Sequence, residues 1–340
     1  MSLPKIVICG DIVWAHDELQ QMLGSTTEIV RMDSQSRKEF LDELGPNGKY
    51  GNVVGFYRHN SSADRIGIFD AELIKALPAT CKWIAHNGAG YDQIDVHACK
   101  ERGESPVLQI RIRVSNTPGA VDEGTATTAL YLLLSSLRQF SIAERNLRSL
   151  KWKSGLIPAH DPSAMTLGVL GMGGIGLHFA KMAHALPMKK IYYHNRSPKK
   201  DAPEWAEYVP SLDELLKRVD VLSIHCPLNE RTVGLIGETQ MRTLRKGSII
   251  VNTARGKVID EDALIRALED GHLYAAGIDV YPDEPNVNPT LMEFRNVTLL
   301  PHMGTETEES QRSMEVRALQ NLVDYFQSGS GKDLVFEHRS

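Results

Sequence analysis

Apolar residues come in short unbroken runs, each followed by a stretch in which they recur three or four positions apart. The runs predict strands buried on both faces, and the recurring stretches predict helices. Strands are expected at 5–10 (KIVICG), 29–32, 51–57 (GNVVGFY), 82–86 and 107–114, the last with Arg111 and Arg113 alternating against apolar neighbours. Helices are expected at 14–23, 36–44 and 70–77, with Ser36 and Asp70 as N-caps and Gly45-Pro46 and Pro78 as stops. Residues 122–150 carry one long helical pattern, apolar at Ala126, Ala129, Leu130, Leu133, Leu134 and Leu137. A helix this apolar is expected to be buried on more than one side, against its own domain and a partner subunit. The alternation then restarts. Strands are expected at 167–170, 191–194, 219–225, 248–252, 275–280 and 297–300, and helices at 211–218, 238–244, 261–269 and 305–327. Strands alternating with helices throughout predict an α/β fold of doubly wound parallel sheets.

At 340 residues the chain is long for a single core, so two domains are expected. The turn cluster Asn116-Thr117-Pro118-Gly119-Ala120 marks a crossing between them. One domain then comprises 1–116 with 307–340, and the other, 117–306, is inserted in it. A hydrophobic content of 42% with 24% charged residues fits a soluble globular chain, and a net charge of −5 argues against a nucleic-acid partner. No apolar run approaches the roughly 20 residues that span a bilayer. The N-terminus enters a strand at once, without a secretory signal. Cys9, Cys81, Cys99 and Cys226 form no CxxC pair, which points to free cytoplasmic thiols rather than disulfides or a metal site.

Chemistry enters at 166–176, TLGVLGMGGIG. An apolar run meets Gly171, Gly173 and Gly176, and a helical pattern follows. In that context the first glycine makes a tight turn, the second admits a pyrophosphate, and the third lets helix pack on strand. The helix N-terminus then offers free N–H groups to the phosphates. An NAD site carries a carboxylate about 20 residues further on, for the ribose 2′-OH. Here the second strand ends in Asn195-Arg196-Ser197, and the acid is absent. An arginine and a hydroxyl suit a 2′-phosphate, so NADP(H) is the expected cofactor, with NAD(H) as the lesser one.

Six stretches in order extend this reading: 87–95 (NGAGYDQID), 166–176, 225–228 (HCPL), 251–256 (VNTARG), 277–285 (GIDVYPDEP) and 300–304 (LPHMG). Together they closely resemble the D-isomer-specific 2-hydroxyacid dehydrogenases, a family that includes glyoxylate/hydroxypyruvate reductases and formate, D-lactate and phosphoglycerate dehydrogenases. Within it, HNGAGYDQID and YHNRS are most similar to fungal NADPH-preferring glyoxylate or 2-ketoacid reductases. Many relatives carry a larger residue, often arginine, where Gly174 stands.

The resemblance implies a Rossmann cofactor domain inserted in a flavodoxin-like substrate domain, and a cytoplasmic homodimeric oxidoreductase. Its implied reaction is hydride transfer from NADPH to a small 2-keto acid, glyoxylate or hydroxypyruvate. Larger branched or aromatic 2-keto acids are the alternative, and a non-catalytic dinucleotide-sensing corepressor a remote one. Arg255, Glu284 and His302 match the catalytic arginine, glutamate and histidine. Arg255 would bind the carboxylate and polarise the ketone, His302 would exchange the proton, and Glu284 would orient the imidazole. Backbone N–H groups of Ala89 and Gly90 would hold the substrate carboxylate. Tyr57 and Arg58, at a strand's carboxyl end, are expected to line the same pocket. Cys226, Pro227 and Thr232 would flank the adenosine end of the cofactor. Asp279 and Ala254 would meet the nicotinamide amide, Thr125 the nicotinamide-side phosphate, and Gly304 completes the cofactor set. Cys226 has no base in its motif and is not expected to be a nucleophile.

Overall fold

A computed structural model describes residues 2–104 and 111–339. The chain divides into two compact units, Met1–Val121 with Thr307–Ser340, and Asp122–Glu306. The first boundary falls at 121/122 rather than at the expected 116/117. The reason is local: Asn116 and Thr117 are tied into the first unit. The Asn116 N–H donates to the Asp333 carbonyl (3.1 Å) and the Thr117 N–H to the Gly88 carbonyl (3.0 Å).

The first unit holds a five-stranded parallel sheet of β1 (Lys5–Cys9), β2 (Glu28–Arg31), β3 (Val53–His59), β4 (Trp83–Asn87) and β5 (Arg113–Ser115), in the order β2-β1-β3-β4-β5. This is the flavodoxin-like order, which places a topological switch point between β1 and β3. Alternate residues enter opposite cores. Val7, Phe56 and Ile84 face one cluster, while Ile6, Ile8, Tyr57 and Ala85 face the other. The second face is closed by the helix Glu308–Ser328 through Ala318, Leu319 and Leu322, so the C-terminal helix does return to the first unit. That helix starts at Thr307, whose side chain accepts from the Ser310 N–H, and stops at Gly329 in the left-handed region (φ 69°). Ser36 and Asp70 cap their helices as the sequence suggests, accepting from the Glu39 and Leu73 N–H groups. Of the strand expected at 107–114, residues 107–110 lie outside the described residues, and the described strand is Arg113–Ser115.

The second unit holds a seven-stranded parallel sheet of β6 (Thr166–Leu170), β7 (Lys190–His194), β8 (Ala206–Tyr208), β9 (Val221–Ile224), β10 (Ser248–Asn252), β11 (Leu273–Ile278) and β12 (Val297–Leu299). Its order, β12-β11-β10-β9-β6-β7-β8, is the Rossmann arrangement with one additional edge strand. Strand β6, buried along its whole length, sits at the centre, beside the point where the order reverses. The three-residue edge strand β8 carries too short an apolar signal to read from sequence.

The long helical pattern at 122–150 is two helices, Asp122–Arg138 and Phe140–Arg148. Gln139 breaks it in the left-handed region (φ 55°), and its side-chain amide donates to the Ile157 carbonyl and the Tyr274 hydroxyl, both at 2.8 Å. Tertiary hydrogen bonds outweigh local propensity there. The first helix packs Ala126, Ala129 and Leu133 against Val169, Phe179 and Val251. It approaches β11 so closely that a Cβ on Gly277 would lie 2.8 Å from Leu132 Cβ.

Candidate active site

The glycine stretch forms the turn between β6 and the helix Gly174–Ala185, with Gly173 as N-cap. Gly171 has φ 98°, and a Cβ there would lie 2.6 Å from the Cys226 backbone nitrogen. A Cβ on Gly176 would lie 2.2 Å from the Gly171 carbonyl oxygen. Both positions therefore exclude side chains for reasons internal to the protein. Gly173 differs: it is exposed, and a Cβ there would meet no atom within 4 Å. Its small size is not set by packing, so a cradle for a phosphate is left with room. The first-turn N–H groups of Gly174 and Ile175 have no helical acceptor. Gly174, where many relatives are larger, is also fixed by a neighbour. A Cβ there would stand 2.0 Å from Asp122 Oδ2, so this chain fills that volume with a carboxylate from another helix.

At the end of β7, Asn195 Oδ1 accepts from the Met172 N–H at 2.7 Å and so holds the glycine turn itself. Arg196 and Ser197 are exposed beyond it. Lys199 pairs with Asp201 (3.0 Å). At the end of β9, burial pushes the Cys226 thiol up to about 11, so it is protonated and not a nucleophile. Thr232 accepts from the Asn229 N–H (2.8 Å) and donates to the Pro227 carbonyl (2.7 Å), which braces the loop that bears Cys226 and Pro227.

Arg255 follows β10 on a turn clamped by Asn252. Asn252 Nδ2 donates to the Arg255 carbonyl (2.9 Å), and its Oδ1 accepts from the Ala254 N–H (3.0 Å). Arg255 Nη1 donates to the Ala254 carbonyl (2.8 Å). Both backbone polar groups of Ala254 thereby take part in the turn. The next residue must be glycine, since a Cβ on Gly256 would lie 2.0 Å from the Tyr281 carbonyl carbon.

The segment after β11 carries Asp279 and Glu284, and the turn after β12 carries His302. His302 Nδ1 lies 2.8 Å from Glu284 Oε2. Glu284 Oε1 accepts from the Tyr281 N–H (2.9 Å), which orients the carboxylate. Burial pushes the Glu284 carboxyl up, but hydrogen bonds from His302 and the Tyr281 N–H, with the His302 and Arg255 charges, outweigh it and hold it below the usual range. A carboxylate on Nδ1 leaves Nε2 as the nitrogen that can face a substrate. His302 sits in the left-handed region (φ 57°), and its N–H donates to the Asp279 carbonyl (2.8 Å).

Asp279 is 1% exposed, and its Oδ1 and Oδ2 accept from the Met303 (2.6 Å) and Gly304 (3.1 Å) N–H groups. Burial raises its pKa against those two bonds. Any bond to a nicotinamide amide has only the remaining lone pairs to use. The Gly304 carbonyl accepts from Thr125 Oγ1 at 3.1 Å. Gly304 is buried with its N–H and carbonyl both bonded inside the unit, and so helps to shape the turn that bears His302. The hydroxyl of buried Thr125 is likewise directed at that turn.

In the first unit, β4 delivers the chain to Asn87-Gly88-Ala89-Gly90. Ala89 and Gly90 are half-buried, and their N–H groups find no acceptor among the described residues. Tyr57 and Arg58 are each 0% exposed, which corrects the expectation that they line an open pocket. Their side chains turn inward behind the loop. Tyr57 Oη accepts from Asn87 Nδ2 (2.7 Å), and Arg58 Nη1 donates to Asn60 Oδ1 (2.6 Å). Sequence reasoning missed Asn252 and Asp122. Asn252 lies inside a quoted motif and was legible as its first polar residue, whereas nothing local marks Asp122 as a neighbour of Gly174.

The arrangement matches known proteins along its whole length. Residues 130–304 match the model of the D-isomer specific 2-hydroxyacid dehydrogenase NAD-binding domain. The chain is 40% identical to 4-methyl-2-oxopentanoate reductase A of Aspergillus oryzae over 338 residues, 99% of each protein. Among solved structures it is similar to a glyoxylate reductase from Paecilomyes thermophila, with a TM-score of 0.93, 41% identity and 100% of both chains covered. It is also similar to an NADPH-dependent glyoxylate/hydroxypyruvate reductase from Sinorhizobium meliloti in complex with NADP and malonate, with a TM-score of 0.82, 30% identity and 99% and 98% of the two chains covered. With a glycine turn at the centre of a Rossmann sheet and a glutamate-bound histidine in the same unit as Arg255, this chain belongs to the D-isomer-specific 2-hydroxyacid dehydrogenase family.

Proposed function

We propose that this oxidoreductase uses NADPH to reduce a small 2-keto acid, glyoxylate or hydroxypyruvate, to the D-2-hydroxy acid. The observation that carries this reading is the 2.8 Å contact between His302 Nδ1 and Glu284 in the unit that bears Arg255. NADPH, when bound, supplies the hydride. Gly173, Gly174 and Ile175 would hold its pyrophosphate, Arg196 and Ser197 its 2′-phosphate, and the loop of Cys226, Pro227 and Thr232 its adenosine end. The Ala89 and Gly90 N–H groups bind the substrate carboxylate, and Arg255 engages carboxylate and ketone oxygen with its planar fork. His302 gives the proton from Nε2 to the ketone oxygen as it gains charge. Glu284 accepts from Nδ1–H and fixes the direction of the ring. The four free thiols, three of them buried, suit a reducing compartment, and we assign the reaction to the cytoplasm. Among the described residues no helix is long and apolar enough to cross a membrane.

A kinetic panel tests the reading, with glyoxylate, hydroxypyruvate, 4-methyl-2-oxopentanoate and phenylglyoxylate, each with NADPH and NADH. The highest kcat/KM is expected with NADPH and one of the first two acids. NADPH oxidation with none of the four would overturn the reading. The Aspergillus oryzae relative favours a second reading, in which the branched acid leads. In that case 4-methyl-2-oxopentanoate would outrank glyoxylate.

Cofactor choice has its own test. Arg196→Ala is expected to weaken NADPH by about tenfold or more, the loss of one charge-assisted contact. NADH should change little, as measured by fluorescence titration. Equal losses for both cofactors would remove Arg196 from the 2′-phosphate site.

A homodimer is also proposed. Tyr131, Phe140, Leu147, Leu150, Trp152 and Ile157 are exposed large apolar residues gathered within one short segment, with Leu150 at 94% and Trp152 at 70%. Apolar surface this concentrated marks an interaction face. Sedimentation at micromolar concentration is expected to give a dimer, and Leu150→Asp with Trp152→Ser should shift it toward monomer. A wild-type monomer would refute the proposal.

A further inference from the structure

The loop that follows β4 is unusual in how its carbonyls are held. The Gly88 carbonyl accepts from the Thr117 N–H (3.0 Å). The Ala89 carbonyl accepts from Asn116 Nδ2 (2.7 Å). The Gly90 carbonyl lies 2.8 Å from His86 Nε2, which must carry the proton because a carbonyl only accepts. Three successive carbonyls are thus pinned by protein donors, while the Ala89 and Gly90 N–H groups are left without acceptors among the described residues. In a trans peptide the carbonyl and the next N–H point in opposite directions on one rigid plane. A donor that fixes the Ala89 carbonyl therefore also fixes the direction of the Gly90 N–H. Successive N–H groups with no internal acceptor form a concavity suited to an anion.

Asn116 is placed firmly enough to serve as that donor. It is 7% exposed, its N–H donates to the Asp333 carbonyl (3.1 Å), and its carbonyl accepts from Asn321 Nδ2 (3.0 Å). Its Oδ1 is buried with no partner among the described residues. An unsatisfied buried amide oxygen costs stability, so the bond from Nδ2 to the Ala89 carbonyl is held in spite of that cost. Turning the amide over would set Oδ1 against the Ala89 carbonyl, so the acceptor dictates the orientation.

We propose that Asn116 is a positioning residue: by holding the Ala89 carbonyl, it aims the Gly90 N–H at the carboxylate of the 2-keto acid. This rests on the reading that the Ala89 and Gly90 N–H groups bind that carboxylate. Neighbouring planes cannot compensate, because Thr117 and His86 fix those on either side. The arrangement is pre-organised, so the anion meets N–H groups that need no reorientation on binding.

The test compares wild type, Asn116→Asp and Asn116→Ser. Aspartate keeps the shape, loses the donor and sets an oxygen against the Ala89 carbonyl. Serine is smaller and neutral and leaves the main-chain bonds of position 116 in place. With either folded variant, KM for glyoxylate and Kd for oxalate are expected to rise about tenfold or more, the scale of one charge-assisted hydrogen bond. Saturating kcat should change by less than about threefold, and NADPH affinity, set in the other unit, should hold. Folding is checked by the thermal transition, and the serine variant decides if the aspartate variant fails to fold. Amide NMR of wild type with oxalate separates the two layers of the inference. If the Ala89 and Gly90 amides do not shift, the carboxylate reading itself fails. If they shift in wild type but both folded variants bind oxalate as wild type does, the role of Asn116 is overturned.

Discussion

His302→Ala is expected to lower kcat for 2-keto acid reduction by about 10²-fold or more, the scale of a lost general acid, while NADPH affinity stays close to wild type. The geometry supports both halves of that result. The imidazole contributes little to packing, since its side chain is 41% exposed and its ring bonds to Glu284. The backbone asks more than alanine gives easily. Position 302 has φ 57°, a region that costs an ordinary residue about 1–2 kcal/mol. His302→Asn is therefore the better variant, because asparagine tolerates that conformation and still cannot act as the acid. Equal losses in the two variants would assign the effect to the proton. Wild-type turnover in His302→Asn would remove His302 from the chemistry.

Reduction takes up one proton for each ketone reduced, so the wild-type reduction rate should fall as pH rises, and oxidation should show the opposite limb. Glu284 cannot be the source of that limb. Its carboxyl is held below the usual range, so it stays ionised through any assay near neutrality. In His302→Asn the limb should disappear, and its persistence would point to another group.

How much of this was legible beforehand depended on how local the controlling interactions are. Strand β10 was read to the residue, because an apolar run between polar flanks is a local signal. Ser36 and Asp70 were read as caps for the same reason. The break at Gln139 was not readable, since it depends on Ile157 and Tyr274, which lie far along the chain. Tyr57 and Arg58 show the limit of a positional rule. The carboxyl end of β3 does face the loop region, but the side chains there support the loop from inside. Gly174 stands out in the sequence as a departure from relatives, yet the neighbour that fills its space, Asp122, is visible only in three dimensions. Motifs therefore mark the segments to which chemistry is assigned, whereas the bracing of their turns by Asp279, Ala254 and Gly304 is visible only in the hydrogen bonds.

Arg255→Lys should be almost as damaging as removal of the acid, although it preserves the charge. A loss in kcat/KM of about 10²-fold is expected, near the cost of removing one donor that stabilises developing negative charge. The reason lies in the turn that bears the side chain. Asn252 grips the Arg255 carbonyl and the Ala254 N–H, and Arg255 Nη1 returns to the Ala254 carbonyl. One nitrogen of the guanidinium thus ties the fork to its own turn, and a planar fork can hold such a bond and a carboxylate through different nitrogens. A lysine ammonium has no second nitrogen. It must either keep the internal bond or reach the ligand, and its flexible stem loses more freedom in doing so. Arg255→Lys should therefore raise KM and lower kcat together, because charge alone polarises the ketone poorly without fixed geometry. Asn252→Ala provides the cross-check. It leaves the arginine in place but loosens its turn, so a smaller loss of the same kind is expected. If Arg255→Lys kept kcat/KM within about threefold of wild type, a point charge would suffice. The bidentate role assigned to Arg255 would then fail, even with His302 intact.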